Sequence, residues 1–147
     1  MSPLPCSTFV ILLIINPKTY IMKKVSVTKT IQVPATKAWG KLRTFREIET
    51  FSPIAKSVTE GEGPGATRTC YMPDGAEIYE RLNKVDDATM EFQYEITEGP
   101  FPIEAYVSDV VVKAIDDNTC EITWACDYTV VKQQQKKWRS YLVAFTR

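Results

Sequence analysis

The sequence predicts an α+β fold, a curved seven-stranded antiparallel sheet gathered around a C-terminal helix, with two short helices after the first strand. Three observations predict it. Most of the chain alternates apolar and polar residues in short runs separated by turn residues. Helix signals follow a single strand near the start. The last stretch changes to helical spacing of its apolar residues.

The elements follow in order. Lys24 to Val33 is rich in β-branched residues and alternates, the mark of a strand. Pro34 stops it and suits a helix start, so Ala35 to Leu42 is the first helix. Thr44 with Glu47 three residues on has the form of a capping box, which predicts a second helix to Phe51. Strands are then expected at Ala55–Glu62, Thr67–Met72, Ala76–Val85, Thr89–Thr97, Ile103–Ile115 and Thr119–Val130. Gly63-Pro64-Gly65, Pro73-Asp74-Gly75, Asp86-Asp87, Gly99-Pro100-Phe101-Pro102 and Asp116-Asp117-Asn118 join them as turns. Lys132 to Phe145 places Trp138, Tyr141, Leu142 and Phe145 on one helical face.

Short connections make neighbouring strands pair, so these six strands form a meander. A long sheet curls, and its apolar face needs a cover. The terminal helix is the available cover, which gives a helix-grip arrangement. A pocket remains wherever that helix does not fill the concavity.

Composition narrows the chemistry. A chain of 147 residues, 44% hydrophobic, is one domain with a core of its own. Its 18 basic and 18 acidic residues cancel, so no global field recruits nucleic acid, and none is expected as a partner. There is no histidine, which excludes Ser-His-Asp and Cys-His nucleophile systems and His-based metal sites. Cys6, Cys70, Cys120 and Cys126 lack metal or redox spacing and are too few for a disulfide scaffold. Reduced thiols, no metal and no cofactor are expected.

Residues 1–21 read as an extension, and residues 22–147 as the domain proper. The apolar run Phe9 to Ile15 is far short of the about 20 residues that cross a bilayer, so no stable membrane insertion is expected. Nothing basic precedes it, unlike a secretory signal. A cytoplasmic protein is expected, with a divergent N-terminal signal or an added strand or anchor as alternatives. Lys132, Lys136, Lys137, Arg139 and Arg147 make the C-terminal stretch basic, as suits the solvated face of a helix.

Strand parity defines an inner face. Phe92, Tyr94 and Ile96 share it, as do Cys120, Ile122, Trp124, Cys126 and Tyr128. Tyr106, Ser108, Val110 and Val112 join them, although Val107 and Val111 leave that strand ambiguous. Glu80 sits between Ile78 and Leu82 on the same face, a carboxylate among apolar residues. The three-residue turn Pro73-Asp74-Gly75 pairs Met72 with Ala76, which sets Arg68 directly opposite Glu80. A facing arginine lowers the cost of a buried acid. The pair is a structural ion pair, a polar anchor for a ligand's carbonyl, hydroxyl or carboxylate, or a catalytic group.

The ordered segments Trp39, Phe45, Ile48 to Pro53, Gly61 to Arg68, Gly75 to Leu82, Tyr94 to Pro102 and Cys120 to Trp124 resemble the SRPBCC superfamily. Within it they look most like its polyketide cyclase/dehydrase-type branch. Its relatives include the birch-pollen-allergen-like, START lipid-transfer and plant abscisic acid receptor families. The resemblance implies a helix-grip fold with a ligand cavity between sheet and C-terminal helix. In the receptor branch two loops gate the cavity, and the matching segments here are Met72 to Gly75 and Glu98 to Pro102. Phe101 is the apolar candidate within the second. Relatives end in a longer charged helix, whereas Lys132 to Phe145 reaches only about 21 Å.

The expected function is binding of a small hydrophobic or amphipathic ligand, lipid or polyketide-like. The candidate ligand-binding residues are Arg68, Glu80, Tyr94, Phe101, Tyr106, Ser108, Trp124, Tyr128 and Trp138. The alternatives are a polyketide cyclase/dehydratase using cavity acid and base groups, and a ligand-free interaction module. Arg68 makes Glu80 a weak proton acceptor, which favours binding over catalysis.

Overall fold

The computed structural model describes residues 20–131. The order is β1 (Tyr20–Ile31), α1 (Ala35–Leu42), a 3-10 turn (Ile48–Thr50), β2 (Lys56–Glu60), β3 (Thr67–Tyr71), β4 (Glu77–Asp86), β5 (Glu91–Glu98), β6 (Ile103–Asp116) and β7 (Thr119–Val131). The strands form one seven-stranded antiparallel sheet, in the order β1-β7-β6-β5-β4-β3-β2. The predicted meander runs from β2 to β7. The first strand then closes the far side by pairing with the last, Val25 opposite Cys126 and Val27 opposite Trp124.

β1 starts at Tyr20, four residues before the alternation predicts, because Tyr20 and Ile21 still find partners in Val131 and Val130. Residues 1–19 lie outside the described residues. So does Lys132 to Phe145, and with it the predicted C-terminal helix and its Trp138.

The predicted second helix is corrected to a 3-10 turn of three residues, Ile48–Thr50. Phe45 and Glu47 both take left-handed backbone conformations, with φ of 59° and 54°, and a right-handed helix cannot run through them. Thr44 does not cap such a helix either. Its hydroxyl donates to the Lys41 carbonyl at 2.8 Å, closing the end of α1. The turn swings Phe45 into the core, where it is 1% exposed. Burial of a large aromatic outweighs the local capping preference.

Two further irregularities shape the inner face. β6 shifts register between Glu104 and Val107, and Ala105 takes a φ of 52°. One extra residue is absorbed there, as in a β-bulge. That settles the parity of β6: Tyr106, Ser108, Val110 and Val112 are buried. β4 shifts beside Glu80 and again between Leu82 and Lys84. Such bulges bend and twist the strands that carry them, so the sheet curves.

Helix α1 lies against β6 and β7 and buries Ala35, Ala38 and Trp39. Trp39 packs on Phe92 with ring centroids 6.2 Å apart. Its indole Nε1 donates to Asp87 at 2.9 Å, and Arg43 holds the same carboxylate through Nε at 2.7 Å and Nη2 at 3.1 Å. The β4–β5 turn is thereby fastened to the end of α1.

Candidate ligand-binding cavity

The turn Pro73-Asp74-Gly75 sets the site's register. Gly75 adopts a φ of 87°, which a side chain would resist, and Met72 and Ala76 close the hairpin through an N–H to carbonyl bond of 2.8 Å. Arg68 therefore faces Glu80 across β3 and β4. Arg68 Nε lies 2.6 Å from Glu80 Oε2, and the side chains are 3% and 6% exposed. The Cys70 thiol donates to the same oxygen at 3.4 Å. The guanidinium carbon stands 3.8 Å from the centre of the Phe45 ring, so the inward swing of Phe45 also supplies a π face for this buried cation. Burial is the largest single influence and opposes the charge of Arg68, but Glu80, Cys70 and Tyr94 together outweigh it and hold the pKa above the ordinary arginine value. Its Nη2 is buried without a hydrogen-bond partner among the described residues.

Beside this pair lies a cavity of about 570 Å³. Glu80, Tyr94 and Ile96 form one wall, and Tyr106, Ile122 and Trp124 another. Val25, Val27 and Ile31 of β1 line the far side, while Ala38 and Leu42 of α1 and Ile48 and Phe51 of the 3-10 turn line the near side. The lining is mainly apolar, with polar atoms gathered at a few points. Trp124 Nε1 donates to the Tyr94 hydroxyl at 3.2 Å. Burial, followed by the Glu80 charge, pushes Tyr94 above the ordinary phenol range, and burial does the same for Tyr106. Both are neutral phenols at any physiological pH. Burial also raises the Cys70 thiol, again with help from Glu80, so it is no nucleophile.

Of the residues singled out in the sequence, Glu80, Tyr94, Phe101, Tyr106 and Trp124 border this cavity. Arg68 does not; it lies behind Glu80 as its counter-ion. Ser108 is fully buried, its hydroxyl donates to the Ala125 carbonyl at 3.1 Å, and it does not border the cavity. Tyr128 is buried against Tyr106, with ring centroids 6.2 Å apart, and does not border it either. Phe101 is 8% exposed and packed into the wall, and none of Met72 to Gly75 lines the cavity.

Parity in β1 would have added more. Val25, Val27, Lys29 and Ile31 face inward in one row and all border the cavity. The row contains a lysine, as conspicuous there as Glu80 is in β4. Lys37 and Lys41 of α1 complete a set of lysines at the lining. Among the described residues no group of His, Cys, Asp and Glu could hold a metal ion, and no helix is long and apolar enough to cross a membrane.

The profile of the family described as polyketide cyclase / dehydrase and lipid transport matches residues 22–144. The chain belongs to this family. A search of curated proteins finds no match. Among solved structures, an uncharacterised protein of Bacillus thuringiensis is similar at 28% identity, over 75% of this chain and 80% of that one, with a TM-score of 0.67. The protein XoxI of Bacillus cereus is similar at 27% identity, over 74% and 77%, with a TM-score of 0.67. Norcoclaurine synthase of Thalictrum flavum, solved with dopamine and hydroxybenzaldehyde, is 16% identical over 86% and 81%, with a TM-score of 0.71. At that identity it shares the fold alone. The family and the curved sheet together support a ligand-binding fold, which the sequence resemblance anticipates.

Proposed function

We propose that this protein binds a small hydrophobic or amphipathic molecule, lipid or polyketide-like, in the cavity between β1, α1 and the curved sheet. The observation that carries the reading is the cavity's chemistry: about 570 Å³ lined mainly by Val, Ile, Leu and aromatic side chains, with polar groups at Glu80, Tyr94 and Tyr106 and at the lysines Lys29, Lys37 and Lys41. Cavities of about 300–1,000 Å³ with few, localised polar groups suit such ligands. The family description, which includes lipid transport, supports the same reading. A ligand-free interaction module is a poorer fit, because Trp124 and Tyr106 stand in the wall rather than filling the space.

One observation favours a second reading, a polyketide cyclase/dehydratase. Glu80 brings a carboxylate to the lining beside the phenols of Tyr94 and Tyr106, an acid/base set for proton transfer. Its Oε2 already accepts hydrogen bonds from Arg68 and Cys70, which leaves binding the better-supported function.

Native mass spectrometry of the purified chain tests the proposal, with a co-purified small molecule as the expected result. Titration with dodecanol, followed by tryptophan fluorescence, provides a defined probe. Ile122→Trp should fill the cavity and abolish dodecanol binding while the protein stays folded. Unchanged dodecanol binding by that variant would place the binding elsewhere and end this reading.

A further inference from the structure

The charges on the cavity lining are unbalanced. Among the described residues, and besides Glu80, which Arg68 neutralises, the charged lining residues are Lys29, Lys37 and Lys41. The ion pairs of the described residues are Lys24 with Asp127, Arg43 with Asp87, Arg68 with Glu80, and Arg81 with Glu95. None uses a lining lysine. Lys37 and Lys41 lie one helical turn apart on α1 and therefore rise from the same side of it. Lys29 stands in the inward row of β1, between Val27 and Ile31. Two separate elements thus bring exposed cations to the lining of an apolar cavity, while Glu80 is buried in its wall.

Building on the ligand-binding reading, we propose that the ligand is an anionic amphiphile. Its carboxylate or phosphate head is held at the mouth by Lys29, Lys37 and Lys41, and its apolar body lies along Val27, Ile122 and Trp124. A charge-compensated Glu80 and a rim of ammonium groups impose a direction: an anion is attracted to the lysines and gains nothing at Glu80, whose charge Arg68 already balances. Long lysine side chains suit this position, because their methylene stems cover apolar wall while their heads stay in water. An inward lysine on an edge strand also discourages strand-to-strand association, and β1 is an edge. That role involves Lys29 alone and leaves Lys37 and Lys41 without explanation.

The test compares four probes of one chain length on the full protein, below their micelle concentrations: dodecanoate, dodecyl phosphate, dodecanol and dodecyltrimethylammonium. Tryptophan fluorescence and isothermal titration calorimetry report binding. The two anions should bind about tenfold more tightly than dodecanol at low salt, and the gap should narrow as salt screens the rim. The order of the two anions assigns the head as carboxylate or phosphate. The triple variant K29Q/K37Q/K41Q should lose the preference for anions over dodecanol. K24Q/K84Q/K113Q, with the same change in charge away from the cavity, should keep the preference.

Dodecanol binding as tight as the anions in the wild-type protein overturns the charge proposal and leaves the cavity reading standing. A preference that survives K29Q/K37Q/K41Q overturns it as well. Failure of every probe to bind overturns both.

Discussion

Two arginine–carboxylate pairs of nearly equal length behave as different objects. Arg68 and Glu80 meet at 2.6 Å with side chains 3% and 6% exposed, while Arg43 and Asp87 meet at 2.7 Å with side chains 45% and 61% exposed. Distance does not distinguish them; dielectric does. Around Arg43 and Asp87, water and salt weaken the attraction and would solvate either ion left alone. Around Arg68 and Glu80 the attraction is strong, and neither ion has solvent to return to. The exposed pair is a fastening that can open. The buried pair must stay closed, and its partners Phe45, Cys70 and Tyr94 are arranged around that requirement.

The largest expected effect breaks the buried pair on one side. Glu80→Ala leaves Arg68 as an uncompensated buried cation and should destabilise the fold by about 3–5 kcal/mol in urea denaturation. The double variant Arg68→Met with Glu80→Leu removes both charges and should return close to wild-type stability. A double variant as unstable as the single one would mean that the pair itself, rather than the stranded charge, supplies the stability.

A neutral buried contact should fall between the two pairs. Tyr94→Phe removes the hydroxyl that accepts from Trp124 Nε1 and should cost about 1 kcal/mol, with a change in tryptophan emission. A loss as large as that of Glu80→Ala would mean that charge is not what sets the buried pair apart.

The smallest effect belongs to Asp87→Asn. Hydrogen bonds from Arg43 and Trp39 hold the Asp87 carboxyl below its ordinary value of 3.8. A depressed pKa means that the folded state prefers the ionised form, so the contribution is complete above the unfolded value and is lost as pH falls through the folded one. The difference in melting temperature between wild type and Asp87→Asn should therefore be small at neutral pH and close further below 3.8. Added salt should shrink it too, whereas the Glu80→Ala penalty should resist salt. A Glu80→Ala penalty as salt-sensitive as that of Asp87→Asn would erase the distinction between the pairs.

The buried pair was legible in the sequence, and the exposed one was not. Arg68 and Glu80 are linked by a hairpin, and Pro73-Asp74-Gly75 fixes how the strands align, so counting residues was enough. Arg43 and Asp87 are joined by packing of α1 over the sheet, which no local spacing encodes. The cavity divides in the same way. Parity singles out Glu80, Tyr94 and Trp124, while Ile48 and Phe51 reach the lining through a 3-10 turn in a segment whose residue types predict a helix. Thr44 and Glu47 have the residue types of a capping box, and the burial of Phe45 and Ile48 overrode them.

By itself the sequence determined the meander from β2 to β7, the alternation that divides inside from outside, and the register of the β3–β4 hairpin. These rest on interactions between residues close in the chain, where turn chemistry and period-two patterning act directly. Only the tertiary structure decided that β1 pairs with β7, that a bulge at Ala105 turns Tyr106 inward, and that lysines from β1 and α1 share one cavity. Those outcomes bring together residues as far apart as Lys29 and Ile122. Their separation is closed by burial of the whole inner face, a non-directional force that local patterning supplies with material but does not aim.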